Sequence, residues 1–221
     1  MASYTYGNVS TGTNLHFIKT SPNNIVLKTA GKNVVKTEEY GVNGGFFYLK
    51  DQISIAVNND VPVRGVVGGY GSGWFNEKYA RGTLVWDAAA GKYSVQIVPT
   101  ASEIEVIDRS RYWAQGGISM TLQDDTTWKT LAKLQGMPNI DGKTTRTALV
   151  WNSGLNIWLI VTDTLCTAEQ FRLAIKKNIG SGTLVDGIFL DGGGSSQLRC
   201  KEKVIDGDGR SVVQMVAISA K

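Results

Sequence analysis

The chain has 221 residues, enough to bury one substantial core, and a single domain over 1–221 is the expectation. Its 23 Lys and Arg against 19 Asp and Glu leave a formal charge of +4 without any basic stripe, which suits a small anionic ligand and excludes nucleic acid as a partner. Gly, at 26 residues, is spread without a period, excluding collagen-like or linker sequence and indicating many turns between strands.

The N-terminus lacks a charged segment followed by an apolar run, so no signal peptide is expected there. No stretch approaches the ~18 apolar residues of a membrane span. A cytoplasmic location is therefore the default expectation, with export by another route left open, and no membrane partner is expected. Alternating or β-branched runs follow: LHFIKT, NIVLK, NVVKT, QISIAVN, PVRGVVG, GTLVWD, YSVQIV, SEIEVID and GISMTL. Gly, Asn, Asp or Pro bound most of them, the pattern of short strands and turns. His16, in the first of these runs, is the only histidine, and it is read as a structural or surface residue. A Ser-His-Asp arrangement or a multi-histidine metal site would rest on it alone.

A helix of lower amphipathic clarity is predicted over 127–135, and RTALVWN and NIWLIVT form a hairpin about residues 153–156. Thr167 then caps a clear helix, AEQFRLAIKKN, with Glu169 early and Lys176 and Lys177 late, and with Phe171, Ala174 and Ile175 on its apolar face. TLVDGIFLD and SVVQMVAIS supply the last strands. Cys166 and Cys200 are read as reduced thiols. These elements predict an α+β fold: a mixed, largely antiparallel sheet core with a few packed helices.

Three glycine punctuations stand out. NGG at 43–45 and QGG at 115–117 each precede an apolar strand, and DGGGSS at 191–196 ends one. Asn-Gly alone is an ordinary hairpin signal. Three successive glycines after a buried strand are more than a turn requires and suit a pocket floor where a ligand approaches the backbone. DGGGSS is neither GxGxxG nor a P-loop, and DGDG at 206–209 lacks the further ligands of a calcium loop. Arg146 opens one strand and Arg210 precedes the last, both suited to an anion.

NGGFF at 43–47, RTAL at 146–149 and LDGGGSSQL at 190–198, in this order, resemble the phosphodiester glycosidase family. The resemblance runs from about residue 40 to the C-terminus, with 1–39 as additional N-terminal strands. It implies hydrolysis of the bond between a sugar's anomeric carbon and a phosphodiester oxygen. Its implied catalytic set is Asp191, then Asp163, with Asn43 orienting a sugar hydroxyl or water and Arg146 on the phosphate. Gly44, Gly45, Thr147, Gly192, Gly193, Gly194, Ser195, Ser196 and Arg210 complete the implied substrate contacts. No cofactor is called for, and a divalent cation beside the phosphate is an open alternative. Two departures stand against the pattern: Thr164 and Leu165 follow Asp163 where the family has Gly-Arg, and Val150 replaces a glycine after RTAL. They leave open a second function, a non-catalytic module that sequesters a nucleotide or sugar phosphate.

Overall fold

A computed structural model of the chain describes residues 3–219. The strands in chain order are β1 (Tyr4–Thr11), β2 (Thr13–Thr20), β3 (Ile25–Lys32), β4 (Tyr40–Asn43), β5 (Phe47–Tyr48) and β6 (Asp51–Gln52). Next come β7 (Ala56–Asn58), β8 (Val61–Pro62), β9 (Arg81–Asp87), β10 (Lys92–Val98), β11 (Tyr112–Gly116) and β12 (Ile118–Ser119). The C-terminal part holds β13 (Thr144–Asn152), β14 (Ile157–Cys166), β15 (Leu184–Phe189), β16 (Leu198–Arg199), β17 (Val204–Ile205) and β18 (Val212–Ile218). Two α-helices join them, α1 (Trp128–Leu134) and α2 (Ala168–Asn178).

A six-stranded sheet in the order β1-β2-β14-β13-β15-β12 forms the centre, with two five-stranded sheets, β10-β9-β11-β7-β8 and β17-β16-β4-β18-β3. Every strand pair among the described residues is antiparallel, and the one parallel contact is an isolated bridge between Gln52 and Ser72. The expected α+β architecture is present, with strands predominating.

The middle strands of the central sheet, β13 and β14, are buried on both faces, which explains why they read as continuous apolar runs. Ala148, Val150, Trp158 and Ile160 pack with Trp128 of α1 and Phe171 and Ile175 of α2. Leu149, Trp151, Leu159 and Ile188 face the opposite way, onto Leu84, Trp86, Val42 and Val216 of the other two sheets. The two sets alternate along β13, as the period of a strand requires. Helix α2 begins where its sequence signal lies: Thr167 accepts from the Gln170 N–H while the Gln170 side chain accepts from the Thr167 N–H.

Three expected strands are not strands. Residues 34–36 of NVVKT form a 3₁₀ turn held by the Asn33 side chain, and 101–103 form another capped by Thr100. Of PVRGVVG only Pro62 lies in a strand, the end of β8, while Val66 and Val67 stand exposed in a loop whose Gly65 and Gly68 have positive φ. Asn and Thr side chains bonding to nearby N–H groups offer the backbone an alternative to a ladder. Both cysteines are buried and unbridged.

Candidate active site

Strand β15 ends at Phe189, and residues 190–193 close one wall of a cavity of about 230 Å³. Arg146 and Thr147 of β13 form its floor, Phe46 a further wall, and the segment Met137–Asn139 after α1 its rim. The antiparallel register sets this meeting: Ala148 opposes Phe189, so the residues preceding Ala148 lie beside those following Phe189.

Asp191 is half-buried at this floor. Burial raises its pKa to about 6 against the countering effects of the Ser195 hydroxyl, the Gly192 N–H and the Arg210 charge. The Gly192 N–H donates to Asp191 Oδ1 at 3.1 Å. Such a carboxyl changes charge close to neutrality, where a group that takes up a proton during catalysis is best placed.

Arg146 is buried, and its donors brace the cavity. Nε donates to the Cys166 carbonyl at 3.0 Å, and Nη2 donates to the carbonyls of Asn139 and Gly142 at 2.8 and 2.9 Å. It thereby ties the rim to β13. No carboxylate pairs with it among the described residues, so its charge is available to a ligand. Burial pushes its pKa down, but a guanidinium keeps its charge at any working pH.

Asn43 is not placed to orient a sugar hydroxyl. It is 1% exposed, and its side chain is saturated from within. Nδ2 donates to the Asp191 carbonyl at 2.8 Å and the Gly44 carbonyl at 3.2 Å. Oδ1 accepts from the Thr147 hydroxyl at 2.8 Å and the Gln197 N–H at 3.0 Å. One amide therefore joins all three sequence motifs; it positions Asp191 and leaves no valence for substrate. Thr147 lines the cavity, but its hydroxyl hydrogen is committed to Asn43.

Asp163 lies outside the cavity lining. It sits on β14, and its Oδ2 is 3.0 Å from Nε2 of His16 on β2, whose Nδ1 lies 3.0 Å from the Tyr6 hydroxyl. Strand β13 separates β14 from β15, so a position at a strand end did not bring the two aspartates to one site.

The glycines divide by purpose. A Cβ on Gly44 would meet Gln214 Oε1 at 1.6 Å, and one on Gly45 would meet the Gly116 carbonyl and Ser54 at 2.7 Å. These two glycines allow close packing around the buried Gln115–Gln214 pair and do not line the cavity. Gly192 and Gly193 do line it, and Gly193, at φ +62°, is the one in the left-handed region. The turn is therefore made by Gly193 and not by Gly192. Gly194 instead faces the Asp208–Arg210 ion pair, where a Cβ would lie 2.1 Å from Asp208 Oδ2. Arg210 is half-exposed and held by Asp208 at 2.5 Å, close enough to lower the pKa of Asp191. Ser195 is buried beside Asp191, whereas Ser196 is buried with its hydroxyl unpartnered and outside the lining.

Of the apolar walls, Phe46 lies within NGGFF and Phe189 directly before LDGGGSSQL, though neither is among the implied site residues, whereas Met137 and Pro138 carried no signal because only tertiary packing brings the 137–144 segment over the sheet. Among the described residues no three His, Cys, Asp or Glu side chains converge to hold a metal.

No protein-family model and no curated protein matches the sequence. Solved structures do match. The catalytic domain of zebrafish N-acetylglucosamine-1-phosphodiester α-N-acetylglucosaminidase, auto-inhibited by its pro-peptide, is 12% identical with a TM-score of 0.63, covering 99% of this chain and 82% of that one. A hypothetical protein from Synechocystis is 11% identical with a TM-score of 0.55, over 97% of this chain and 61% of that one. A protein of Burkholderia pseudomallei K96243 is 12% identical with a TM-score of 0.56, over 94% and 74%. At these identities the likeness is one of fold: the chain shares the architecture of a phosphodiester glycosidase catalytic domain.

Proposed function

We propose that the protein is a glycoside hydrolase that cleaves the anomeric carbon–oxygen bond of a sugar 1-phosphodiester in the cavity at the end of β15. The observation that carries this reading is the meeting, in one cavity, of the Asp191 carboxyl, whose pKa burial raises, with a guanidinium that no acidic side chain neutralises among the described residues. The leaving group is a phosphate monoester, already a weak base, so it needs charge stabilisation more than a proton donor. Arg146 supplies the charge. The N–H group of Gly193, which lines the cavity, opens a short turn and has no partner among the described residues, so it offers an additional donor.

As its carbon–oxygen bond lengthens, the sugar gains oxocarbenium character, which the Asp191 carboxylate stabilises. Water adds to the anomeric carbon, Asp191 takes its proton, and the phosphate departs with the bonding pair. Because the leaving group needs no acid, one carboxylate suffices. A single displacement then inverts the anomeric centre, as proton resonance of the first-released sugar would record.

A second reading has its own observation. Asp163 is held by His16, so the cavity contains a single aspartate, as a module that binds sugar phosphates or nucleotides without turnover would allow. Incubation with a UDP-sugar or a simple sugar 1-phosphodiester separates the two. Released sugar supports the hydrolase, and saturable binding without product supports the binding module.

A further inference from the structure

Arg81 opens β9 and is 7% exposed. Its Nε donates to the Gln135 carbonyl at 3.1 Å, while Nη1 is buried without any acceptor. Among the described residues no acidic side chain pairs with it. The chain also contains a buried arginine of the ordinary structural kind. Arg172 is 1% exposed, and its guanidinium reaches the carbonyls of Met120, Thr121 and Asp124 and the carboxylate of Asp125. Arg81 has one hydrogen-bond partner where Arg172 has four. A buried cation is normally paired or fully hydrogen-bonded, and stacking on aromatic rings recovers only a minor part of its lost hydration.

The rings that flank it indicate where the missing partner comes from. The Arg81 guanidinium lies 5.0 Å from the Phe46 ring centroid and 5.5 Å from that of Tyr79. Phe46 is also a wall of the Asp191 cavity, and Met137, two residues beyond Gln135, is part of the rim. Arg81 thus stands one aromatic ring behind the cavity, on the same wall. Arg146 meets the same cavity with all of its described bonds made to neutral carbonyls.

We infer that Arg81 is a second anion-binding group of this cavity, uncovered when the Phe46 ring turns, and that the natural ligand carries two acidic groups, as a diphosphate does, one for Arg146 and one for Arg81. The inference rests on the cavity being the ligand site and is independent of whether the ligand is hydrolysed. The Phe46 backbone is fixed, its N–H donating to Ser54 Oγ at 2.7 Å, so the movement required is a side-chain rotation alone.

The test is calorimetric titration of wild-type protein, Arg81→Met and Arg81→Lys with inorganic orthophosphate and inorganic pyrophosphate. Wild type is expected to bind pyrophosphate at least ~10-fold more tightly than orthophosphate, the scale of one added charge-assisted contact. Arg81→Met should bind the two anions within about threefold of each other, with orthophosphate affinity unchanged and no loss of melting temperature, because the variant removes an unpaired buried charge. Arg81→Lys keeps charge but not the fork, and should fall between. An undiminished pyrophosphate preference in folded Arg81→Met overturns the inference, as does a wild type without the preference. Should Arg81→Met fail to fold, an undiminished preference in Arg81→Lys overturns it equally. A wild type that prefers pyrophosphate but releases no sugar from a UDP-sugar removes the hydrolase reading and supports the role of Arg81.

Discussion

The Asn43 side chain donates to the backbone carbonyl of Asp191 at 2.8 Å, across 148 residues of sequence. Asp191 is thus held by an amide that does not itself line the cavity. Replacing Asn43 with Ala would leave the Asp191 and Gly44 carbonyls, the Thr147 hydroxyl and the Gln197 N–H without their partner. A stability loss of at least ~3 kcal/mol is expected from several buried groups left unsatisfied, read by denaturant unfolding. Because Asn43 acts through Asp191, ligand-saturated Asn43→Ala should also lose kcat more than KM and show a displaced pH inflection. A variant that is merely less stable would show neither.

Asp191 makes stability depend on pH in a defined direction. Its pKa rises from an ordinary 3.8 to about 6 on folding, so the folded protein holds this proton more tightly than the unfolded chain does. Stability contributed by the protonated form is full below the unfolded value and is lost as pH rises through about 6, on the order of 2 kcal/mol by neutral pH. Asp191→Asn should therefore melt higher than wild type at pH 7, with the difference vanishing near pH 4. Equal melting temperatures at both pH values would mean that the carboxyl is not desolvated.

The two arginines that the sequence pairs are unequal in the structure. Arg146→Lys loses the fork that spans three carbonyls, so it should cost about 1–3 kcal/mol and at least ~10-fold in affinity for a phosphate ligand. Arg210 is half-exposed and tied to Asp208, so Arg210→Lys should change stability little and affinity less than Arg146→Lys does. Calorimetry on the two variants ranks them.

The three loop glycines should respond differently to alanine. Gly193→Ala forces a side chain into φ +62° and should lose about 1 kcal/mol together with binding. Gly194→Ala must displace the Asp208 carboxylate and with it Arg210. Gly192 has an ordinary φ of −116° and lines the cavity, with the Thr145 carbonyl 3.0 Å from the new methyl. Separation of binding loss from stability loss is expected there, by melting and titration of the three proteins.

Elements carried by strong local signals were legible in the sequence. The hairpin of β13 and β14, the capped helix α2 and the last strand β18 lie where periodicity and capping place them. NVVKT and SEIEVID were not: the valines of the first sit in a short turn held by Asn33, and the second begins in a turn capped by Thr100, with Ile104 and Val106 packed into the core from irregular backbone. Asp191, Gly192, Gly193 and Arg146 line one cavity because motif and register coincide there. Asp163 misled because a strand end says nothing about which strand lies next to it, and Asn43 because an exposed role and a buried tie share one sequence signal. Arg81 depends on packing between distant segments, which leaves no local pattern, and although Phe46 lies within NGGFF, its place beside Arg81 is set by the same packing.

The most direct test of the account is release of free sugar from a sugar 1-phosphodiester by wild type and Asp191→Asn, followed from pH 4.5 to 8. The account predicts wild-type kcat/KM that rises through about pH 6 to a plateau, and Asp191→Asn that binds the ligand with turnover reduced at least ~10²-fold. Near-normal turnover by folded Asp191→Asn, or a wild type that binds the ligand and releases no sugar at any pH, would contradict it.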